Sequence, residues 1–256
     1  MASIDRRAVL AWLAELDVAG VQAATKVKAL AVFRAVWAEA VREGLVGADP
    51  THGVSVPKPP HIMGRALNEQ ELARLIAVAV DHALRAQLLL GGVVGLRWGE
   101  IAALNVADVD HSAGLIYVRA SLARGTNGYQ VKAPKTRSSD RAVPIPQAMG
   151  RLMRQVTVGR SGPVFNTPAG ARLNYHSSRR ALIRTAETAR VPDCTGWHVL
   201  RRTAATLALR GGLNLKDVQV LLGHSTPSQT LAAYVAARDM LALAAPLDDL
   251  ARAALP

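Results

Sequence analysis

Four prolines fall within the stretch DPTHGVSVPKPP, residues 49 to 60, and neither a helix nor a central strand runs through such a segment. It carries few bulky side chains, so it reads as a linker that no core takes up and as the boundary between two parts of the chain. Ahead of it lie two amphipathic runs. Val9, Leu10, Leu13 and Leu16 recur at helical spacing, and Leu30, Phe33, Val36, Trp37, Ala40 and Val41 share one face of a second helix. Gly44 and Gly47 end that pattern. A stretch of this length is small for an independent domain. Residues 1–60 are therefore expected to be a partial helical unit with its linker, and 61–256 the main domain.

The main domain opens with a capping signal, Asn68 followed by Glu71, and Leu72, Leu75, Ile76, Ala79, Val80 and Ala83 continue at helical period. One helix from 69 to about 90 is expected. Gly91, Gly92 and Gly95 break it, and WGEIAALNVADVD starts the next helix, which puts Arg97 at a helix start where the dipole favours an anion. Three β-prone runs follow: GLIYVRA at 114–120, GYQVKAP at 128–134 and RAVPIP at 141–146. They predict a small antiparallel sheet, with Lys135 in the turn KTRSSD between the second and third runs.

From 147 onward the pattern is helical again, including a basic helix at 177–190. His176, Arg179, Arg180 and Arg184 cluster there, either as a solvated basic face or as contacts to a nucleic-acid backbone. Thr195 is expected to cap a helix that carries His198 and Arg201 on one face. Asn214 caps LKDVQVLL, Gly223 supplies a left-handed exit, and His224 follows at once. Ser225 or Thr226 with Pro227 then restarts a helix bearing Tyr234. The fold class is mainly α with a small antiparallel β-sheet.

A formal charge of +12 and a pI near 10.8 point to a polyanionic partner, with nucleic acid first. The single cysteine, Cys194, excludes an internal disulfide and any multi-cysteine zinc site, and reads as a small half-buried apolar residue. Early charges exclude a signal peptide, and the longest uncharged run, Val218 to Ala237, is too polar for a membrane span. A cytoplasmic protein without membrane attachment is expected. There is no HExxH and no GxxxxGK[ST], so neither a metal centre nor an ATP-driven reaction is indicated.

The residues that remain suit attack on a phosphodiester. Two arginines match phosphate oxygens in bidentate fashion, a tyrosine can act as covalent nucleophile, and a lysine in a flexible turn can protonate the departing oxygen. Histidines can move protons or donate hydrogen bonds as charge develops.

Four blocks carry a resemblance: GLRWGEIAALNVADVD around Arg97, KTRSSDRAVPIP around Lys135, WHVLRRTAAT with His198 and Arg201, and LLGHSTPSQTLAAYV with His224 and Tyr234. In this order, the chain from about 66 to 238 resembles the tyrosine recombinase (phage integrase) family. The resemblance implies that Arg97 and Arg201 hold the scissile phosphate and that Lys135 is general acid towards the leaving 5′-hydroxyl. It implies that His198 assists proton transfer, that His224 donates a hydrogen bond, and that Tyr234 attacks to give a 3′-phosphotyrosyl intermediate. Glu100 matches the family's acidic support residue; a simple helical salt bridge is the plainer reading of it.

The reaction so implied needs neither metal nor ATP, and the partners implied are double-stranded DNA, three further copies in a tetramer, and an accessory DNA-bending protein. The tail Met240–Leu255 is expected to dock on a neighbouring copy or on its own domain. Residues 27–58 look like the end of the family's core-binding domain, which is longer elsewhere, and an arm-binding domain is not expected. Arg202 stands where many relatives have a second His. Three readings follow: an active integrase or resolvase, a DNA-binding remnant, and a type IB topoisomerase-like relaxing enzyme. The intact set of six residues favours the first.

Overall fold

The computed structural model describes residues 4–57, 64–126, 128–133 and 140–223. The chain forms two compact units, Met1–Ile62 and Met63–Pro256. In the first, α1 (Arg6–Val18) starts at Asp5, whose carboxylate accepts the Ala8 N–H at 2.8 Å, and α2 (Ala23–Arg42) lies against it. Val9, Leu13 and Leu30 form a small core with Trp12, Leu16 and Phe33 packed around it. The predicted face of α2 is only partly used, since Val36 and Val41 are exposed.

The proline-rich stretch corrects the expectation of a linker outside any core. Thr51 and Val54 are buried, and Val54 joins the core of the first unit. Asp49 makes this possible by accepting the Thr51 N–H at 2.8 Å and its hydroxyl at 2.7 Å, while the Arg34 guanidinium donates to the Val54 carbonyl. With its polar backbone satisfied locally, the turn can bury an apolar side chain.

In the second unit, α3 (Glu69–Ala77) begins with the expected capping box: Asn68 accepts the Glu71 N–H at 2.8 Å and Glu71 accepts the Asn68 N–H at 2.9 Å. It stops at Ala77, and α4 (His82–Gly92) is a separate helix. The single helix expected over 69–90 is therefore two. Asp81 is the cause, because its carboxylate accepts the Leu84 N–H at 2.6 Å and starts a new helix there. The apolar period hid the break, since Ala79 and Leu84 are both buried on either side of it.

Helix α4 runs against α8 (Trp197–Arg210). Gly91 and Gly92 make room for the helices on either side, for a Cβ on Gly91 would lie 3.3 Å from Leu200 Cδ1 of α8 and one on Gly92 would lie 2.7 Å from Leu72 Cδ1 of α3. Leu75, Leu88, Leu90, Leu96, Ile101, Leu182 and Leu200 fill the core between the helices. Each such side chain stabilises the fold by about 2 kcal/mol on burial.

Short strands follow α5 (Trp98–Ala103): β1 (Val109–Asp110), β2 (Leu115–Val118), β3 (Ser121–Gly125), β4 (Gly128–Lys132) and β5 (Arg141–Pro144). All pairings are antiparallel, but the three predicted runs do not form one sheet. β2 pairs with β1 and β5, with Ile116 opposite Val143, whereas β4 pairs with β3, with Leu122 opposite Val131. Segment 121–125, read in sequence as a connection, is the partner of β4, and it lies on α5. Gly99 allows that approach, since a Cβ there would sit 2.6 Å from the Leu122 carbonyl oxygen. Trp98 ties the hairpin down from beneath, edge-on to Tyr129 at 5.8 Å and to Tyr175 at 5.0 Å.

After α6 (Gly150–Thr157) comes α7 (Tyr175–Thr188), capped by Asn174 through the His176 N–H at 2.8 Å. Leu182 and Ala186 face inward, and Arg179, Arg180 and Arg184 face out. The expected Thr195 cap of α8 does not form. Gly196 is the cap residue, with no side chain to offer, and the Thr195 carbonyl instead accepts from Arg179 Nε at 3.0 Å. Beside it Cys194 is fully buried, and that burial, opposed in part by Arg65, pushes its thiol up to about 11. Among the described residues no helix is long and apolar enough to cross a membrane.

Candidate active site

The site is built around the end of α9 (Leu215–Leu222). Asn214 starts this helix by accepting the Asp217 N–H at 2.9 Å, and Gly223 ends it at φ 64°, ψ 49°, the left-handed geometry that favours glycine. A helix end leaves its last carbonyls without partners inside the helix. Here three successive carbonyls each accept from a different arginine. Arg141 Nε donates to the Leu221 oxygen at 2.8 Å, Arg201 to the Leu222 oxygen at 2.7 Å, and Arg97 to the Gly223 oxygen at 3.2 Å.

The three come from far apart in the chain: Arg141 from β5, Arg201 from the second turn of α8, and Arg97 from the residue before α5. Cations are favoured at this pole of a helix dipole, yet three guanidiniums so close repel one another. Glu100 offsets that repulsion. Its carboxylate accepts from the Arg97 N–H at 2.9 Å, from the Arg97 guanidinium at 2.9 Å, and from both ends of the Arg141 guanidinium at 3.1 and 3.0 Å. Both Glu100 and Arg141 are almost fully buried, and Arg97 is one-third exposed.

Electrostatics follow the geometry. Burial alone would raise the Glu100 carboxyl, but the Arg141 hydrogen bonds and charge, followed by the Arg97 contacts, hold it below its usual value. For Arg201, burial and then the charge of Arg97 outweigh the pull of Glu100 and push it down to about 9, so it stays cationic at neutral pH. His198 lies one turn before Arg201 on the exposed side of α8. Partial burial, then Arg201, Arg202 and Arg97, hold it below the ordinary histidine value, which leaves a neutral imidazole at pH 7.

Because the folded-state pKa of Glu100 is lowered, its contribution to stability is fully present above the ordinary carboxylate range. It is lost as pH falls through the lowered value. Wild type and Glu100→Gln should therefore differ most in urea stability near neutrality and converge as the pH drops below about 4.

Gly95 closes the site from behind. Its carbonyl accepts from Arg201 at 2.6 Å, its φ is +80°, and a Cβ there would collide with Leu222. Gly95→Ala should lower stability by about 2–4 kcal/mol, from overpacking plus left-handed strain. Urea denaturation measures the loss, and near-wild-type stability would mean that α9 yields without cost.

Arg97, Glu100 and Arg201 are thus brought together, with His198 at the rim. Lys135, His224 and Tyr234 lie outside the described residues, as does the tail from 240 to 255, although His224 is the next residue after Gly223. Arg179, Arg180 and Arg184 stand apart on α7, where Arg179 holds the Thr195 carbonyl. Two arginines were not singled out in the sequence. Arg141 opens a short strand and reads there as ordinary surface charge. Arg172 donates to the Ala102 and Ala103 carbonyls at 3.1 and 2.9 Å, closing the end of α5 much as the trio closes α9. Among the described residues no three His, Cys, Asp or Glu side chains gather as a metal site requires.

Known proteins resemble the chain in sequence and in fold. The phage integrase family matches residues 65–240. A protein named tyrosine recombinase XerC from Mycobacterium bovis (strain BCG / Pasteur 1173P2) is 31% identical over 229 residues, covering 86% of this chain and 74% of the relative. Among solved structures, the Tn1549 transposon integrase in complex with transposon right end DNA superposes with a TM-score of 0.82 at 20% identity, covering 97% of this chain and 86% of the other. A lambda integrase tetramer bound to a Holliday junction gives 0.68 at 18% identity, covering 89% and 66%.

These structures share the helical fold with its small antiparallel strands. The chain belongs to the phage integrase family and is a tyrosine recombinase.

Proposed function

We propose that the cluster at the end of α9 receives one phosphodiester of double-stranded DNA and that Tyr234 attacks it. The observation that carries this reading is the convergence of Arg97, Arg141 and Arg201 on the carbonyls of Leu221 to Gly223, one residue before His224. Arg97 and Arg201 clamp the non-bridging oxygens, Glu100 orients Arg97, and neutral His198 relays a proton. His224 donates a hydrogen bond to the phosphate. The Tyr234 oxygen forms a bond to phosphorus as the bond to the 5′ oxygen breaks, and Lys135 supplies the proton that leaves with it. The link keeps the energy of the broken bond, so a second 5′-hydroxyl can reverse the step without ATP or metal.

Four copies act together on two duplexes, the tail from 240 to 255 joining neighbours and an accessory protein bending the DNA. The lambda integrase tetramer on a Holliday junction supports the assembly. Residues 1–60 form part of the DNA clamp, Arg179, Arg180 and Arg184 touch the backbone, and the reaction takes place in the cytoplasm.

A nicked suicide substrate tests the chemistry. Wild-type protein should yield a DNA adduct that survives denaturation and protease trimming to a phosphotyrosyl peptide. Binding without an adduct would instead identify a DNA-binding remnant, and relaxation of any plasmid a topoisomerase. With several phosphates neutralised, affinity should fall on the order of a hundredfold or more between 50 and 200 mM salt. A flat salt response, read by fluorescence anisotropy, would remove the proposed backbone contacts.

A further inference from the structure

The three arginines at the end of α9 are not equivalent. The side chain of Arg97 is one-third exposed, whereas that of Arg141 is only 6% exposed. Its fork faces the Glu100 carboxylate at 3.1 and 3.0 Å, and its Nε faces the Leu221 carbonyl at 2.8 Å. Every one of these bonds points into the protein scaffold. Glu100 in turn holds Arg97 by its N–H and its guanidinium, both at 2.9 Å.

We propose that Arg141 is a positioning residue for strand cleavage: by fixing Glu100 and the Leu221 carbonyl together, it sets the orientation in which Arg97 meets the phosphate. This rests on the reading of Arg97 as a phosphate clamp. A carboxylate held by one arginine alone can rotate with it. Held from two sides, with four hydrogen bonds, it is a fixed post. Because β5 also pairs with β2 through Val118 opposite Arg141, the post is anchored to the sheet as well as to α9.

Lysine is the informative replacement. It keeps the charge beside Glu100, but a single ammonium cannot span both carboxylate oxygens and the Leu221 carbonyl in the planar geometry of a guanidinium. Arg141→Lys should fold and bind DNA within about threefold of wild type, since the cation is retained. The rate of adduct formation at saturating DNA should fall on the order of 10- to 100-fold, the scale of a misplaced reacting group. In a Glu100→Gln background the same substitution should cost less than about threefold, because the two residues act as one unit.

Two results overturn the proposal. One is adduct formation at the wild-type rate in Arg141→Lys. The other is a cost that multiplies independently of Glu100→Gln, as a general loss of stability would give. A second readout needs no chemistry: 15N guanidinium NMR of the free protein. The Arg97 signals should be slow to exchange with water in wild type and fast in Arg141→Lys, and identical exchange in both refutes the coupling. If wild type forms no Tyr234-dependent adduct, the clamp reading fails while the NMR comparison still judges Arg141.

Discussion

Tyr234→Phe should abolish the covalent DNA adduct while leaving DNA affinity within about twofold, because the substitution removes one oxygen and no charge. The phenol is the protein's own nucleophile in the proposed reaction, and the arginine cluster, which Phe leaves untouched, supplies the charge that draws a phosphate in. Loss of the adduct should therefore be complete at the detection limit of a denaturing gel. Residual adduct at a comparable rate would move the nucleophile to another residue, and peptide mapping of the trapped product would identify it. A large loss of affinity would instead mean that Tyr234 holds the fold or the DNA rather than reacting.

Arg201→Ala should be the most damaging substitution among the described residues, with two separable effects. Its guanidinium bridges the Gly95 and Leu222 carbonyls at 2.6 and 2.7 Å in a site that is 7% exposed. Removing it leaves two buried acceptors without that donor, at about 1–3 kcal/mol each. The second effect is on the chemistry, where loss of an arginine at transferring phosphate typically lowers the rate by about 10³-fold or more. Arg201→Lys separates them, because it keeps a cation but not the fork that spans both carbonyls. Single-turnover cleavage and urea denaturation on the pair give both numbers. If Arg201→Ala cleaves within about tenfold of wild type, Arg201 is structural and not a phosphate ligand.

What could be read from the sequence was what depends on local rules. Asn68 with Glu71, Asn214, and Gly223 announced helix ends that the structure contains, because caps are fixed by neighbouring residues. Arg97 and Arg201 stood out by motif, and the fold brings both to the end of α9. The errors arose where a competing local signal was masked. Asp81 split a helix whose apolar period ran on unbroken, and Asp49 turned a proline-rich stretch into something Val54 could anchor. The division of the strands between two sheets depends on which face rests on α5, a non-local fact. Arg141 was illegible for the same reason: its partners, Glu100 and Leu221, lie 41 and 80 positions away.

The buried thiol has a practical consequence. Cys194 is the only cysteine in the chain, it is 1% exposed, and its thiol is pushed up to about 11, so at neutral pH it is both shielded and protonated. A maleimide dye added to native protein will find no thiolate to react with. A single cysteine placed at an exposed position, such as Gln130 on β4, would then be the one labelling point without any need to remove the natural residue. Fluorescence energy transfer from that position to dye-bearing DNA could follow the hairpin through a reaction cycle in real time.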